Sequence, residues 1–369
     1  MKRSIDPTAH FPADYRQARE SFLAAAESAG ARVTSHVLDV RGADGCELAI
    51  DTAALGPAIP DSLLVVSSGI HGAEGRAGSA LQHLLLTQPE AAGFLPPEMG
   101  LLLVHALNPW GFDMGRRVNE HNVDLNRNFL RHPEEHEIRP DYERLKVHLN
   151  PTHMDEEHDA LARQAFTAFA REHGGARLQQ ALSAGQHAHP KGTQYGGHEA
   201  EPSNQLLRKI AREGMCGVSR AAWIDVHTGL GPHGVPELIT ELPPSDPIYR
   251  RGRAWYGDAF RSAASGESVS ASLSGVIEVG LCEEADPACE LTPFTAEFGT
   301  YPPERVFWAL RADNWLQHHG DRASARGQAV HSELQEVFSP RDPGWQSAVL
   351  EAGARVVRQA REGLIQDGP

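Results

Sequence analysis

The sequence predicts a mixed α/β fold in a single domain. Three segments end a short, branched apolar run in a polar turn: SLLVVSSG at 62–69, LLLVHALNP at 101–109 and AAWIDVHTG at 221–229. Runs of this length and composition read as buried strands. The first is followed at once by AEGRAGSALQHLLL at 73–86, a small-residue segment with helical spacing. Strand-to-helix alternation belongs to α/β proteins, whose sites lie outside the carboxyl ends of the strands. Polar residues at three strand ends therefore point to a site along one sheet edge.

The other elements follow in order. Residues 12–30 carry a helical pattern with Ala24, Ala25 and Ala26 inside it, and the SHVLDV segment after it reads as a strand. Residues 131–160, rich in Glu, His and Asp, read as a solvated loop-and-helix face. Helical periodicity resumes at 158–173, and QHAHPKGTQYGGHEAEP at 186–202 reads as a long loop able to shape a pocket. The segments 268–282 and 291–303 contain strand-like runs punctuated by Gly and Pro. Helices are expected at 304–319 and 342–365, making 304–366 a C-terminal helical region. No internal repeat or low-complexity linker divides the 369 residues, so 1–369 is read as one domain with its core motifs within 62–300.

Composition narrows the function. With 34 basic and 49 acidic residues the net charge is −15, which disfavours a general nucleic-acid surface. No run approaches the roughly 18 apolar residues of a membrane span, and the MKRSIDPTAHF start lacks a secretory apolar core. The expectation is a cytoplasmic protein without a membrane or nucleic-acid partner. Cys46, Cys216, Cys282 and Cys289 are too sparse and badly spaced for a disulfide scaffold or a four-thiolate zinc site. Ser67 and Ser68 precede GIHG without a GxSxG elbow, which weakens a serine-hydrolase reading.

Three groups of residues carry chemistry. His71 and Glu74 in GIHGAEG follow the first strand directly, where the start of a helix can turn both side chains toward one point. His227 in WIDVHTGLG shares a strand face with Asp225, placing a second imidazole beside a carboxylate that reads as its orienting partner. Two imidazoles and a carboxylate form a zinc donor set that leaves a position for water or substrate. The third group is NPWGFDMGRRVNEHNVDLNRNF at 108–129, in which Arg116, Arg117, Asn119, Asn126 and Arg127 offer planar donors for a carboxylate.

Together these stations resemble the zinc carboxypeptidase-like metallopeptidase superfamily, especially its bacterial, poorly characterised branch. The likeness runs through HGAEG, NPWG, RVNEHNVDLNRNF, DVHTG and Glu297 in TAEFGT, in the family's order over roughly residues 62–300. It implies an α/β/α domain with a mixed, mostly parallel twisted sheet. It also implies one Zn2+ per chain held by His71, Glu74 and His227, with Asp124 orienting a ligand histidine. On the same resemblance Asn126 and Arg127 recognise a terminal carboxylate, Arg117 polarises the scissile carbonyl, and Glu297 is the general base. Arg116 takes no family role, and neither Tyr249 nor Tyr256 aligns with the family's capping tyrosine. Tyr195 in the QYGG loop precedes His227 and reads as structural.

The implied reaction is zinc-dependent hydrolysis of an amide in a peptide or N-acyl amino acid bearing a free carboxylate. The alternatives are an N-acyl amino-acid deacylase and a catalytically weak module that binds carboxylated ligands. Substrate identity and oligomeric state are left open by the sequence.

Overall fold

The computed structural model describes residues 5–130 and 139–366. Eight strands form one sheet in the order β1-β2-β4-β3-β5-β8-β6-β7. They are β1 (Arg32–Arg41), β2 (Glu47–Leu55), β3 (Ser62–Ser68), β4 (Met99–His105), β5 (Arg220–Gly229), β6 (Pro236–Thr240), β7 (Phe260–Ser262) and β8 (Glu290–Gly299). The central strands β4, β3, β5 and β8 run parallel, and β1, β2 and β6 add antiparallel pairings around them. The carboxyl ends of β3, β4 and β5 thus share one edge, as the three polar strand ends suggested.

Twelve helices accompany the sheet among the described residues: α1 (Tyr15–Ser28), α2 (Gly75–Thr87), α3 (Pro109–Met114), α4 (Pro140–Leu149), α5 (Glu156–His173) and α6 (Gly175–Ser183), then α7 (Pro202–Met215), α8 (Pro247–Tyr256), α9 (Ile277–Glu284), α10 (Pro303–His319), α11 (Ala325–Phe338) and α12 (Pro343–Gln366). Residues of α1, α2, α8 and α12 bury one face of the sheet, and α7 and α9 help to bury the other. The fully buried strands β3, β4 and β5 explain their continuous apolar runs, because a parallel strand covered on both faces needs no polar alternation. Helix α2 needs its small residues: a Cβ on Gly78 would lie 2.4 Å from the Cβ of Ser68. No helix among the described residues is long and apolar enough to cross a membrane.

One expected element is different. The strand-like run at 268–282 ends in a helix, α9, from Ile277 to Glu284. Ile277 and Leu281 bury on one helical face, and Gly280 lets the Phe129 ring approach, since a Cβ there would lie 2.3 Å from it. Packing of that face outweighs the strand preference of Val276, Ile277 and Val279. Part of the acidic 131–160 stretch lies outside the described residues, and its remainder supplies α4 and the start of α5. The long loop at 186–202 stays a loop, closed on itself by a single bridge between Gln186 and Tyr195.

A histidine in the core must stay neutral. His105, at the end of β4, stacks on Phe22 at 4.7 Å and shares a 3.0 Å contact with the Ser79 hydroxyl, leaving Nδ1 without a partner. Burial pushes its pKa down to about 4 from the usual 6.5. With the folded pKa depressed, its contribution to stability is full above the unfolded pKa and is lost as pH falls toward the folded one. Urea unfolding at pH 7 and pH 5 is expected to show a loss of about 2 kcal/mol from this residue, which His105→Gln removes.

Candidate metal centre

The chain turns sharply after β3, and His71 caps a one-turn helix at Gly72–Glu74 that runs into α2. This turn lies against the backbone of α3: a Cβ on Gly72 would sit 2.0 Å from the Gly111 carbonyl carbon. The amides of Gly72 and Ala73 donate to the carbonyls of Arg117 and Arg116 at 3.2 and 2.8 Å. Asn108 ties the same strap, accepting from the Gly111 amide at 2.8 Å and donating to the Arg117 carbonyl at 3.3 Å. The NPWG turn thus serves as the mould for the HGAEG turn.

His71, Glu74 and His227 meet at this point. Nδ1 of His71 lies 2.9 Å from one Glu74 oxygen, and Nδ1 of His227 lies 3.3 Å from the other. The two rings stand edge to face with centroids 4.9 Å apart. One donor atom from each of the three residues lies within 4.8 Å of the others, and all three side chains are buried. The buried Nδ1 of His71 faces Glu74 without a hydrogen bond of proper geometry, which leaves it a donor atom for a cation. This donor set fits a single divalent cation.

The outer nitrogens are fixed by carboxylates. Nε2 of His71 is 3.0 Å from Asp124, and Nε2 of His227 is 2.6 Å from Asp225. Such partners set the ring orientation and leave Nδ1 to face the centre. Asp225 also accepts from the Ser67 hydroxyl at 2.6 Å, and Ser67 accepts from the Trp223 indole at 2.8 Å. Ser68 donates to Gln82 at 3.0 Å, so both serines are buried structural groups rather than nucleophiles. Asp124 accepts from the Asn126 amide at 3.0 Å and from Arg117.

The charges reinforce one another. Burial works against the ionised Glu74, yet His71 and His227 hold its carboxyl far below the usual range. Burial also opposes the charge on Asp124, and Arg117 and Arg127 keep it well below the ordinary carboxylate value. His227 loses solvation on burial but is raised well above 6.5 by Asp225 and Glu74. Glu297 behaves in the opposite way: burial, with the negative Glu74 nearby, pushes it up to about 7. It faces His227 across the β5–β8 register, and its Oε1 accepts from the Leu230 amide at 2.9 Å.

His71, Glu74, Arg117, Asn126, Arg127, His227 and Glu297 line one cavity of about 1150 Å³, Asp124 lies directly behind it, and Asn119 is outside it, donating to Glu201 at 2.8 Å. Asn126 accepts from the Ile277 amide at 2.8 Å. Arg127 donates to the carbonyls of Asn126 at 2.7 Å and Ser183 at 2.8 Å, and no carboxylate among the described residues lies within ion-pair distance of it. Burial lowers its pKa from the ordinary value, so it is a desolvated cation fixed by backbone oxygens. Arg116 is different, pairing with Asp313 at 3.0 Å away from the cavity. Tyr195 braces Asp124 through its carbonyl, which accepts the Asp124 amide at 2.7 Å. Tyr249 and Tyr256 bond to Glu267 and the Val356 carbonyl, and no tyrosine among the described residues lines the cavity.

Several cavity residues carried no signal in the sequence. Gln194 accepts from Arg117 at 3.3 Å, and the Thr228 amide donates to Glu74 at 3.0 Å. Glu241 and Glu278 line the same cavity, the latter buried and pushed up to about 8 by loss of solvation. Gln194 adopts a φ of +58°, a strain that only the folded loop reveals.

Residues 11–352 match the family described as Protein of unknown function (DUF2817), and the chain belongs to that family. No curated protein matches the sequence. Among solved structures, carboxypeptidase A from Helicoverpa armigera shares 14% identity over 89% of this chain and 74% of its own, with a TM-score of 0.46. Bovine thrombin-activatable fibrinolysis inhibitor, in complex with tick carboxypeptidase inhibitor, shares 11% over 97% and 98%, at 0.49. A metallo-carboxypeptidase from Burkholderia cenocepacia shares 12% over 95% and 69%, at 0.46.

Elemental analysis of the protein purified without chelator is expected to find about one divalent metal ion per chain, and none in His71→Ala. Gly72→Ala forces the ligand turn off the Gly111 backbone. It should lower metal content and cost about 1–3 kcal/mol in urea unfolding.

Proposed function

We propose that the protein is a zinc-dependent amidohydrolase, carboxypeptidase-like in mechanism, acting on a peptide or N-acyl amino acid with a free carboxylate. The observation that supports this most is the joint placement of the buried His71–Glu74–His227 cluster, Glu297 and three planar donors around one cavity. His71, Glu74 and His227 are the residues that would hold the ion. When bound there, zinc acidifies a water molecule and polarises a carbonyl.

The remaining work falls to side chains. Asn126 and Arg127 take the substrate carboxylate, because Arg127 is a buried cation whose bonds among the described residues go to carbonyl oxygens rather than to an acid. Gripping that end places the amide carbonyl near Arg117, whose guanidinium is already oriented by Asp124 and Gln194. Arg117 then offers positive charge where the carbonyl oxygen becomes anionic. Glu297 accepts the proton of the attacking water and passes it to the departing amine. A carboxyl pushed toward neutral pH suits both transfers.

Glu297→Gln is expected to lower kcat by about 10²–10⁴ while leaving metal content unchanged. Arg127→Gln should raise KM for carboxylated substrates and abolish their preference over the matching amides. Steady-state assays with acyl amino acids and dipeptides, run beside metal analysis, check both. Full activity in Glu297→Gln would refute the assignment of the base.

A further inference from the structure

We propose that the substrate's acyl part is a long aliphatic chain, so that the site cleaves N-acyl amino acids of the lipid kind; this rests on the hydrolytic reading above. The cavity has two chemically distinct poles. One set of polar groups gathers around Arg117, Asn126, Arg127 and Glu241, whereas α5, α6 and α10 present a wall of apolar side chains interrupted by Thr167, Gln179 and the outer Arg163–Glu304 ion pair.

That wall starts at the metal motif itself. Ala73, between His71 and Glu74, packs with Val306 and Phe338, and Leu310 joins the same group. Phe338 also reaches the end of β5, where its carbonyl accepts from Thr228 beside His227 at 2.5 Å. From there α10 carries the apolar surface outward through Phe307 and Trp308 to Phe166 on α5 and to Leu178 and Leu182 on α6.

The wall packs on the buried cluster around Phe166 and Phe169, and two features leave its other side open to the cavity. Helix α6 has a clear apolar stripe in Leu178, Ala181 and Leu182, yet none of its residues is fully buried. Phe307 and Trp308 are likewise only partly covered, and both line the cavity. Apolar surface in a concavity gains free energy when an apolar ligand covers it. The cavity's size agrees, since about 1150 Å³ exceeds the roughly 300–1,000 Å³ of drug-sized ligand sites. An acetyl amino acid would leave most of it unfilled.

The α10 part of the arm belongs to the acyl side of the bond, whereas the end of α6 holds Arg127 through the Ser183 carbonyl and flanks the carboxylate. With the carboxylate at Arg127 and the carbonyl at the metal cluster, the amino-acid portion spans the polar pole. What continues beyond the carbonyl meets the surface formed by Phe338, Val306 and Leu310, which pack over the buried Ala73. In the reaction a water oxygen bonds to the acyl carbon, the C–N bond breaks, and the amine leaves with the proton. The products are a fatty acid and a free amino acid.

The test is an N-acylglycine series from acetyl to dodecanoyl, kept below micelle-forming concentrations. Turnover is measured with the wild-type protein, and binding is measured by calorimetry with Glu297→Gln. Affinity and kcat/KM are expected to rise roughly threefold per methylene until the wall is covered. Leu178→Gln is expected to flatten that rise. Chain-length-dependent binding without turnover in the wild type would uphold the acyl arm and refute hydrolysis. Equal binding of acetyl and dodecanoyl forms would overturn the arm whatever the turnover. A gain on replacing glycine by leucine in the acetyl compound, with no effect of chain length, would overturn it by giving the wall to the amino-acid side.

Discussion

The carboxylate of Glu74, held between two imidazoles in the absence of solvent, is the interaction on which the rest of the site depends. A buried carboxylate is costly unless positive charge or strong donors compensate it. Here the compensation comes from His71 and His227, whose Nδ1 atoms flank it at 2.9 and 3.3 Å, and from the Thr228 amide at 3.0 Å. Those imidazoles in turn lean on Asp124 and Asp225. The arrangement alternates sign outward from the centre, and Arg117 and Ser67 with Trp223 terminate the two chains. A divalent cation held there would displace the imidazole protons and put its own charge where the three donor atoms converge.

The fold makes that convergence possible at one sheet edge. Parallel pairing of β3, β5 and β8 brings the HGAEG turn, His227 and Glu297 to the same end. The chain after β4 then crosses over that end as a strap, and its contact with the ligand turn tolerates no side chain at Gly72. Because Arg116 is pinned to Asp313 on α10, the same strap is anchored to the helix that forms the cavity's apolar wall. The His71–Glu74 turn, Arg117 and the cavity's apolar wall are therefore coupled through one loop.

Much of this was legible in the sequence because the relevant signals were local. His71 with Glu74, and Asp225 with His227, are close in the chain, and a turn or a strand face is enough to relate them. The three buried parallel strands were equally plain, since their apolar runs are continuous. The helix at Ile277–Glu284 was misread because its branched residues suggest a strand until Phe129 and the sheet are placed against it. Glu241, Glu278 and the α6 stripe were invisible for a related reason: their roles arise from segments far apart in sequence that meet only around the cavity. The arginines of 108–129 are ambiguous in sequence, and the structure separates two neighbours, sending Arg117 to Asp124 and Arg116 to Asp313.

Anomalous X-ray scattering from crystals of the protein as purified, recorded on both sides of the zinc absorption edge, tests the central claim most directly. The account predicts one strong peak per chain, bonded to Nδ1 of His71, the Glu74 carboxylate and Nδ1 of His227. Density for a metal bonded elsewhere, or ligation through Nε2 with Asp124 and Asp225 displaced, would contradict it.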